Sequence, residues 1–298
     1  MAEGFFVRGI KWTLGLAALL AAMSAVPAPA AAEPVILAPS TPWTLDYATD
    51  HCRLARTFGE GEQKVALLID RAGPMPVYRF TVAGAPMRSR DRASWPLRLR
   101  PDGDPMEQGA FKGELGDFGD AVIFSAVPWP EAVKTPDFDP DFVEIGGLRG
   151  DDVRLATGSF EAPLAEMEKC IDSLVRDWGL DPDEQRSLSQ NPVPLGDIAE
   201  WIRSSDYPRM ASFLGRQGSL AVRMSVLPDG TPSDCAVQLR TTPADFDAAA
   251  CDALMKRAQF TPGLDAAGNP VAALWEARVA FVMDRGTRMR SKRGVGEN

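Results

Sequence analysis

The chain has 298 residues, 45% of them hydrophobic, and a formal charge of −9 at pH 7. That length sets a prior of two domains, each with enough apolar content to bury a core. The acidic balance argues against nucleic acid as a partner and fits a soluble surface.

Residues 1–32 read as an export signal. Arg8 and Lys11 precede an apolar run from Trp12 to Val26, and Ala30-Ala31-Ala32 precedes Glu33. A positive start, a short apolar core and an A-x-A site are the parts of a cleavable signal. The run is short for a span of about 20 residues, and an uncleaved anchor is the competing reading. Four cysteines, Cys52, Cys170, Cys235 and Cys251, suit an oxidising compartment and two disulfides. Of three connectivities, the spacing favours Cys52–Cys170 and Cys235–Cys251. The chain has one histidine, His51, and no C-x-x-C pair, which leaves a zinc site little to draw on.

Residues 33–42, rich in Pro and Ala, are expected to form a flexible lead. Residues 43–180 read as a β-rich domain closed by a helix. Strands are expected at Trp43–Tyr47, Lys64–Asp70, Val77–Val82, Ala121–Ala126 and Asp152–Ala156. Over Phe160–Trp178 the period changes: Leu164, Met167, Ile171, Leu174 and Trp178 form one apolar stripe, and Ser159 is placed to cap the helix. Cys170 lies beside that stripe, so a bridge to Cys52 would pin the helix to the start of the domain. Residues 181–202, with Pro182, Pro192 and Pro194, read as a linker.

The part from 203 to 285 has a cleaner pattern. A short helix starts at Tyr207-Pro208. In Ser219–Leu227, Leu220, Val222, Met224 and Val226 share one face, and Ser219, Arg223 and Ser225 the other. Pro228-Asp229-Gly230 supplies a turn, with Gly230 able to take positive φ. Cys235, Val237 and Leu239 alternate on a return strand. Asp245 or Thr242 is placed to cap a helix to about Arg257, with Phe246, Ala250, Leu254 and Ala258 on one side. A last strand over Val271–Val282 sets Trp275, Ala277, Val279 and Phe281 on one face. The helix must lie across one side of the sheet to bury these faces. The expected fold class is α+β: an N-terminal β-rich domain closed by a helix, then a small β-β-α-β domain with a three-stranded antiparallel sheet. Residues 286–298 are a basic tail.

Tyr207-Pro208, Gly218 before the first strand, Asp229-Gly230, Phe260-x-Pro262 and Gly268-x-Pro270-Val271 occur in order. Together they resemble the C-terminal domain of the TonB energy-transducer family. That resemblance implies a periplasmic binding module without a cofactor. Its partner would be the short N-terminal box of an outer-membrane receptor, or another periplasmic protein, added as a strand beside the final strand. The edge residues it implies are Val271, Leu274, Trp275, Ala277, Val279 and Phe281. It also implies transport driven through an inner-membrane motor complex if the chain is anchored. Energy transducers carry a polar anchor motif and a long Pro-rich rod. Here Ser24 has no histidine partner in the apolar run, and a folded domain stands where the rod would be, which points to binding without pulling. An open edge strand also makes a homodimer possible.

No motif points to catalysis. His51 and Cys52 are adjacent, so in an extended chain they face opposite ways. Asp137, Asp139 and Asp141 start like a calcium loop, but Phe142 and Leu148 stand where Gly and Glu are required. Asp70 lacks the hydroxyl residue and glycine of an aspartic-protease loop. Gly146-Gly147 builds no phosphate loop. The rival reading is an exported enzyme with its activity in 43–180; the basic tail with Arg285, Arg288, Arg290, Lys292 and Arg293 reads as a solvated end.

Overall fold

The structure, a computed structural model, describes residues 33–90, 92–100, 104–128, 141–240, 244–283 and 290–291. The signal reading at 1–32, Asp137, Asp139, Thr242 and most of the basic tail fall outside these residues.

Ten strands form one sheet in the first half: β1 (Val35–Leu37), β2 (Thr44–Tyr47), β3 (Cys52–Phe58), β4 (Val65–Arg71), β5 (Val77–Ala83), β6 (Ser94–Arg98), β7 (Met106–Leu115), β8 (Gly119–Pro128), β9 (Val143–Ile145) and β10 (Val153–Leu155). Their order is β1-β10-β9-β6-β7-β8-β5-β4-β3-β2. β7 turns the corner: residues 106–109 pair with β6, and residues 110–115 pair with β8. The sheet curls until its ends meet. Gly59 donates to Ala38 O at 2.9 Å, and Ser40 to Thr57 O at 2.8 Å. The inward residues alternate along the strands, as in Val65, Leu67 and Ile69, and all are buried.

The expected flexible lead at 33–42 is therefore partly a strand. Val35–Leu37 pairs in parallel with β10, and Leu37 enters the core. A three-residue strand next to Pro and Ala has no readable period, and it is pairing across the sheet that orders it.

Helix α1 (Glu161–Asp177) closes this core with Met167, Cys170, Ile171, Leu174 and Val175. Ser159 Oγ accepts the Glu161 N–H at 3.1 Å. Cys52 and Cys170 are bridged, tying α1 to β3. The stretch expected as a linker carries structure of its own. Asp181 caps α2 (Pro182–Arg186) by accepting from the Asp183 and Glu184 N–H groups at 2.8 and 3.2 Å, with Pro182 in the first turn. Arg186 pairs with Asp172 of α1. Further on, β11 (Val193–Pro194) pairs with the strand after the last helix.

The second core is built on α3 (Arg209–Phe213), β12 (Gly218–Val226), β13 (Pro232–Arg240), α4 (Asp247–Arg257), β14 (Phe260–Thr261), β15 (Gly263–Leu264), β16 (Pro270–Val271), β17 (Ala273–Val282) and β18 (Arg290–Ser291). Its sheet order is β13-β12-β17-β18, antiparallel throughout. The three long strands and α4 are the β-β-α-β arrangement that the sequence calls for; β18 adds two residues at the end of β17. Leu220, Val222, Met224, Val226, Val279 and Phe281 meet Phe246, Ala250 and Leu254 of the helix side. Tyr207 stands edge-on to Phe246 and Phe281, at 5.6 and 5.5 Å between ring centroids. Cys235 and Cys251 are bridged, stapling α4 to β13. Gly230 takes φ 84°, and a side chain there would collide with Phe260 O, so the turn admits only glycine.

Candidate functional site

β17 is the strand on which a pairing site depends. On one side it is fully paired with β12, from Gly218↔Phe281 to Val226↔Ala273, without a break. The other side is different. Leu274 gives its N–H to Gln185 Oε1 at 3.1 Å, and Gln185 Nε2 donates to Ala272 O at 2.9 Å. Leu274 therefore turns its main chain away from β12. Main-chain direction alternates along a strand, so Glu276 and Ala280 turn the same way. Among the described residues the strand on that side is β18, which covers Phe281 and Val282. The stretch from Trp275 to Ala280 lies between the two closures.

The residues expected at the edge divide into three groups. Trp275, Ala277, Val279 and Phe281 all point into the second core, where Trp275 packs on Trp201 and Phe260 at 5.8 and 5.1 Å. They form a rigid backing for the strand, not its rim. Leu274 points the other way and is buried in the first core. Val271 is off the strand: it belongs to β16 and pairs with Gly263 in a separate small hairpin. Pro270 has no N–H and Asp265 gathers the Ala267 and Asn269 N–H groups into a tight turn, so the chain pairs locally before β17 begins.

The outer face of this sheet rests on the first half of the protein, and its contacts are polar. Gln238 on β13 donates through Nε2 to Asp50 O and Ala72 O. Arg223 on β12 lies over the Trp178 ring, 4.2 Å from its centroid, and donates to Asp234 at 2.9 Å. Glu276 on β17 is directly opposite Arg223 in the register. Glu276 is half-buried as a residue, but its Oε1 is enclosed and has no hydrogen-bond partner among the described residues. The Glu276 carboxyl fills the space beside Gly73, so a side chain at that position would oblige Glu276 to move. Burial pushes the Glu276 carboxyl up to about 7, against the pull of Arg71 and Arg223.

On the facing side, Arg53, Asp70 and Arg79 stand in one row across β3, β4 and β5. Arg53 holds Asp70 through two hydrogen bonds, which raises the Arg53 guanidinium further. Arg79 and Arg278 are both depressed, first by burial. His51 is depressed mainly by burial as well. It sits at this junction as part of the polar seam, apart from the Cys52–Cys170 bridge. Among the described residues no group of three or more His, Cys, Asp or Glu is placed to hold a metal.

Residues 203–283 match the family model described as Gram-negative bacterial TonB protein C-terminal. This part of the chain is a TonB C-terminal domain. No curated protein and no solved structure matches the chain. The domain type is that of TonB-like periplasmic proteins of envelope transport. In this TonB C-terminal domain the Gln185 closure at the start of β17 and the polar seam beneath the strand are the features that sequence reading did not assemble. The polar residues of the outer face were visible on β12 as Arg223 and Ser225. That Arg223 stands opposite Glu276 and over Trp178 follows only from the register and the fold.

Among the described residues no helix is long and apolar enough to cross a membrane.

Proposed function

We propose that the protein is an exported, periplasmic binding module that takes up an extended peptide along β17, between Leu274 and Phe281. The guest is a segment such as the N-terminal box of an outer-membrane receptor, and the protein serves transport across the outer membrane. The observation that carries this reading is the lopsided pairing of β17: a complete ladder with β12 on one side and, among the described residues, Gln185 and the two residues of β18 on the other. Strand addition uses main-chain hydrogen bonds for affinity and alternate side chains for selectivity. The backing by Trp275, Val279 and Phe281 keeps the strand straight and ordered before a guest arrives, which lowers the cost of binding.

Ala30-Ala31-Ala32 before Glu33 has the form of a cleavage site after a short apolar run. That supports a mature chain beginning near Glu33, which holds a partner without pulling on it. A mature chain that retained residues 1–32 would instead support an anchored transducer working with an inner-membrane motor.

The test is a proline at Ala280. Its N–H turns toward the open side, so Ala280→Pro removes an edge donor and takes nothing from the β12 ladder. Calorimetric titration with receptor-box peptides should then show at least a tenfold loss of affinity, equivalent to about 1.4 kcal/mol. The melting temperature should hardly move. Equal affinity in the variant and the parent would dismiss edge pairing. Sedimentation at rising concentration separates a peptide guest from a second copy of the chain.

A further inference from the structure

Gln185 lies on α2, far from β17 in sequence, yet it is buried and both ends of its amide are engaged with main chain at the start of β17. Its Oε1 takes the N–H of Leu274 and its Nε2 gives to Ala272 O. These are the two groups that a neighbouring strand would use at that point. We propose that Gln185 is an end-stop for the guest strand: its amide stands in for one strand residue, fixes where pairing begins, and limits the guest to the stretch facing Trp275–Ala280. The inference rests on the edge-pairing reading of β17 and adds its length rule.

Three observations converge on this role. The α2 helix is held in place independently, by the Asp181 cap, by the Arg186 ion pair to Asp172 and by the burial of Pro182. The glutamine is therefore positioned by its own helix and does not depend on β17 for its place. Leu274 is buried in the first core, so its N–H would be costly to leave without an acceptor, and Gln185 meets that need when no guest is present. At the far end, among the described residues, β18 pairs with Phe281 and Val282, so the interval runs from Gln185 to that pairing. At roughly 3.3 Å per residue it is about 17–20 Å long, room for a guest of about six residues.

The energetics give a length rule. A guest that reaches past Trp275 must displace the Gln185 amide, exchanging two existing hydrogen bonds for two new ones. The exchange yields almost nothing, and each further residue must still be ordered. Extra guest length on this side is therefore wasted in the parent protein. With Gln185→Ala the Leu274 and Ala272 groups fall open, and a longer guest satisfies them.

The experiment uses the full mature chain and a nested pair of peptides, six and nine residues long, from the receptor box that binds the parent best. In the parent the two peptides should bind within about twofold of each other. In Gln185→Ala the nine-residue peptide should bind about tenfold tighter than the six-residue one, the effect of roughly one further net hydrogen-bond pair. Amide hydrogen exchange without peptide is read in parallel, and the Leu274 amide should exchange much faster in Gln185→Ala than in the parent. Equal length dependence in both proteins, with peptides bound, overturns the end-stop and leaves edge pairing standing. Failure of every peptide to bind the parent overturns both.

Discussion

Arg223 and Trp178 join the two halves of the protein: the guanidinium of a β12 residue lies 4.2 Å from the centroid of an indole at the end of α1. Around this contact the outer face of the TonB C-terminal domain meets the N-terminal sheet through Gln238, Glu276 and Leu274. The seam is polar, with Leu274, among the described residues, entering the apolar core across it. Interfaces of this kind between domains resemble transient protein contacts.

Arg223 should be the residue on which the seam depends most. It is buried, stacked and paired to Asp234, and its loss would leave Trp178 without its partner. A desolvated cation–π contact is worth about 1–2 kcal/mol. Arg223→Lys keeps the charge and loses the flat stacking surface, so it should cost nearly as much as Arg223→Ala. Asp234→Asn should cost under about 1 kcal/mol, since that carboxylate is more than half exposed. Denaturant unfolding of the three variants tests this ranking.

Glu276 should make stability fall as pH rises. Its carboxyl is at about 7 in the fold against an ordinary value of 4.5. The folded state then binds more protons than the unfolded chain between those values. Its neutral form is fully compatible with the seam below about pH 4.5, and the stability it lends is lost progressively up to about pH 7. The ceiling on this loss is on the order of 3 kcal/mol, less to the extent that water reaches the residue. His51, depressed by burial, titrates with the opposite sign, gaining stability as pH rises toward 6.5. It is present in both proteins, so the difference between parent and Glu276→Gln isolates the carboxyl. Melting curves from pH 4 to pH 8 should show the variant gaining on the parent as pH rises. A constant difference would mean that Glu276 is solvated.

The two disulfides should contribute unequally. Cys52–Cys170 closes a separation of 118 residues and Cys235–Cys251 one of 16. The chain-entropy model assigns about 5 and about 3 kcal/mol. Replacing each pair by alanine and measuring unfolding should give that order. The Cys235–Cys251 variant should lose structure first around α4 and β13.

How much of this was legible in the sequence depends on where order comes from. The second half could be read because its strands are half-buried: Leu220, Val222, Met224 and Val226 alternate with polar neighbours, and Asp229-Gly230 announces the turn. The first half was read less well. β3 alternates Cys52, Leu54 and Phe58 inward, but Arg53 and Arg56 mask the pattern. β6 carries Pro96 in its middle, and β7 carries Gly109 and Gly113 with little apolar content. Such strands are ordered by their neighbours in the sheet and not by their own period. The same holds for the site. That the stretch now β17 would be a strand followed from its pattern. That Gln185 would lie against its start, and that Glu276 would be enclosed by Gly73, follow only from the fold.

The central claim is tested most directly at the Glu276 amide, which turns away from β12. Hydrogen exchange is followed at that amide in the full mature chain, with and without a saturating receptor-box peptide. Edge pairing predicts strong slowing at Glu276 and Ala280, with the already paired amides of Ala277 and Val279 little changed. Tight binding of the peptide with no slowing at Glu276 and Ala280 would place the partner elsewhere on the molecule and contradict the account.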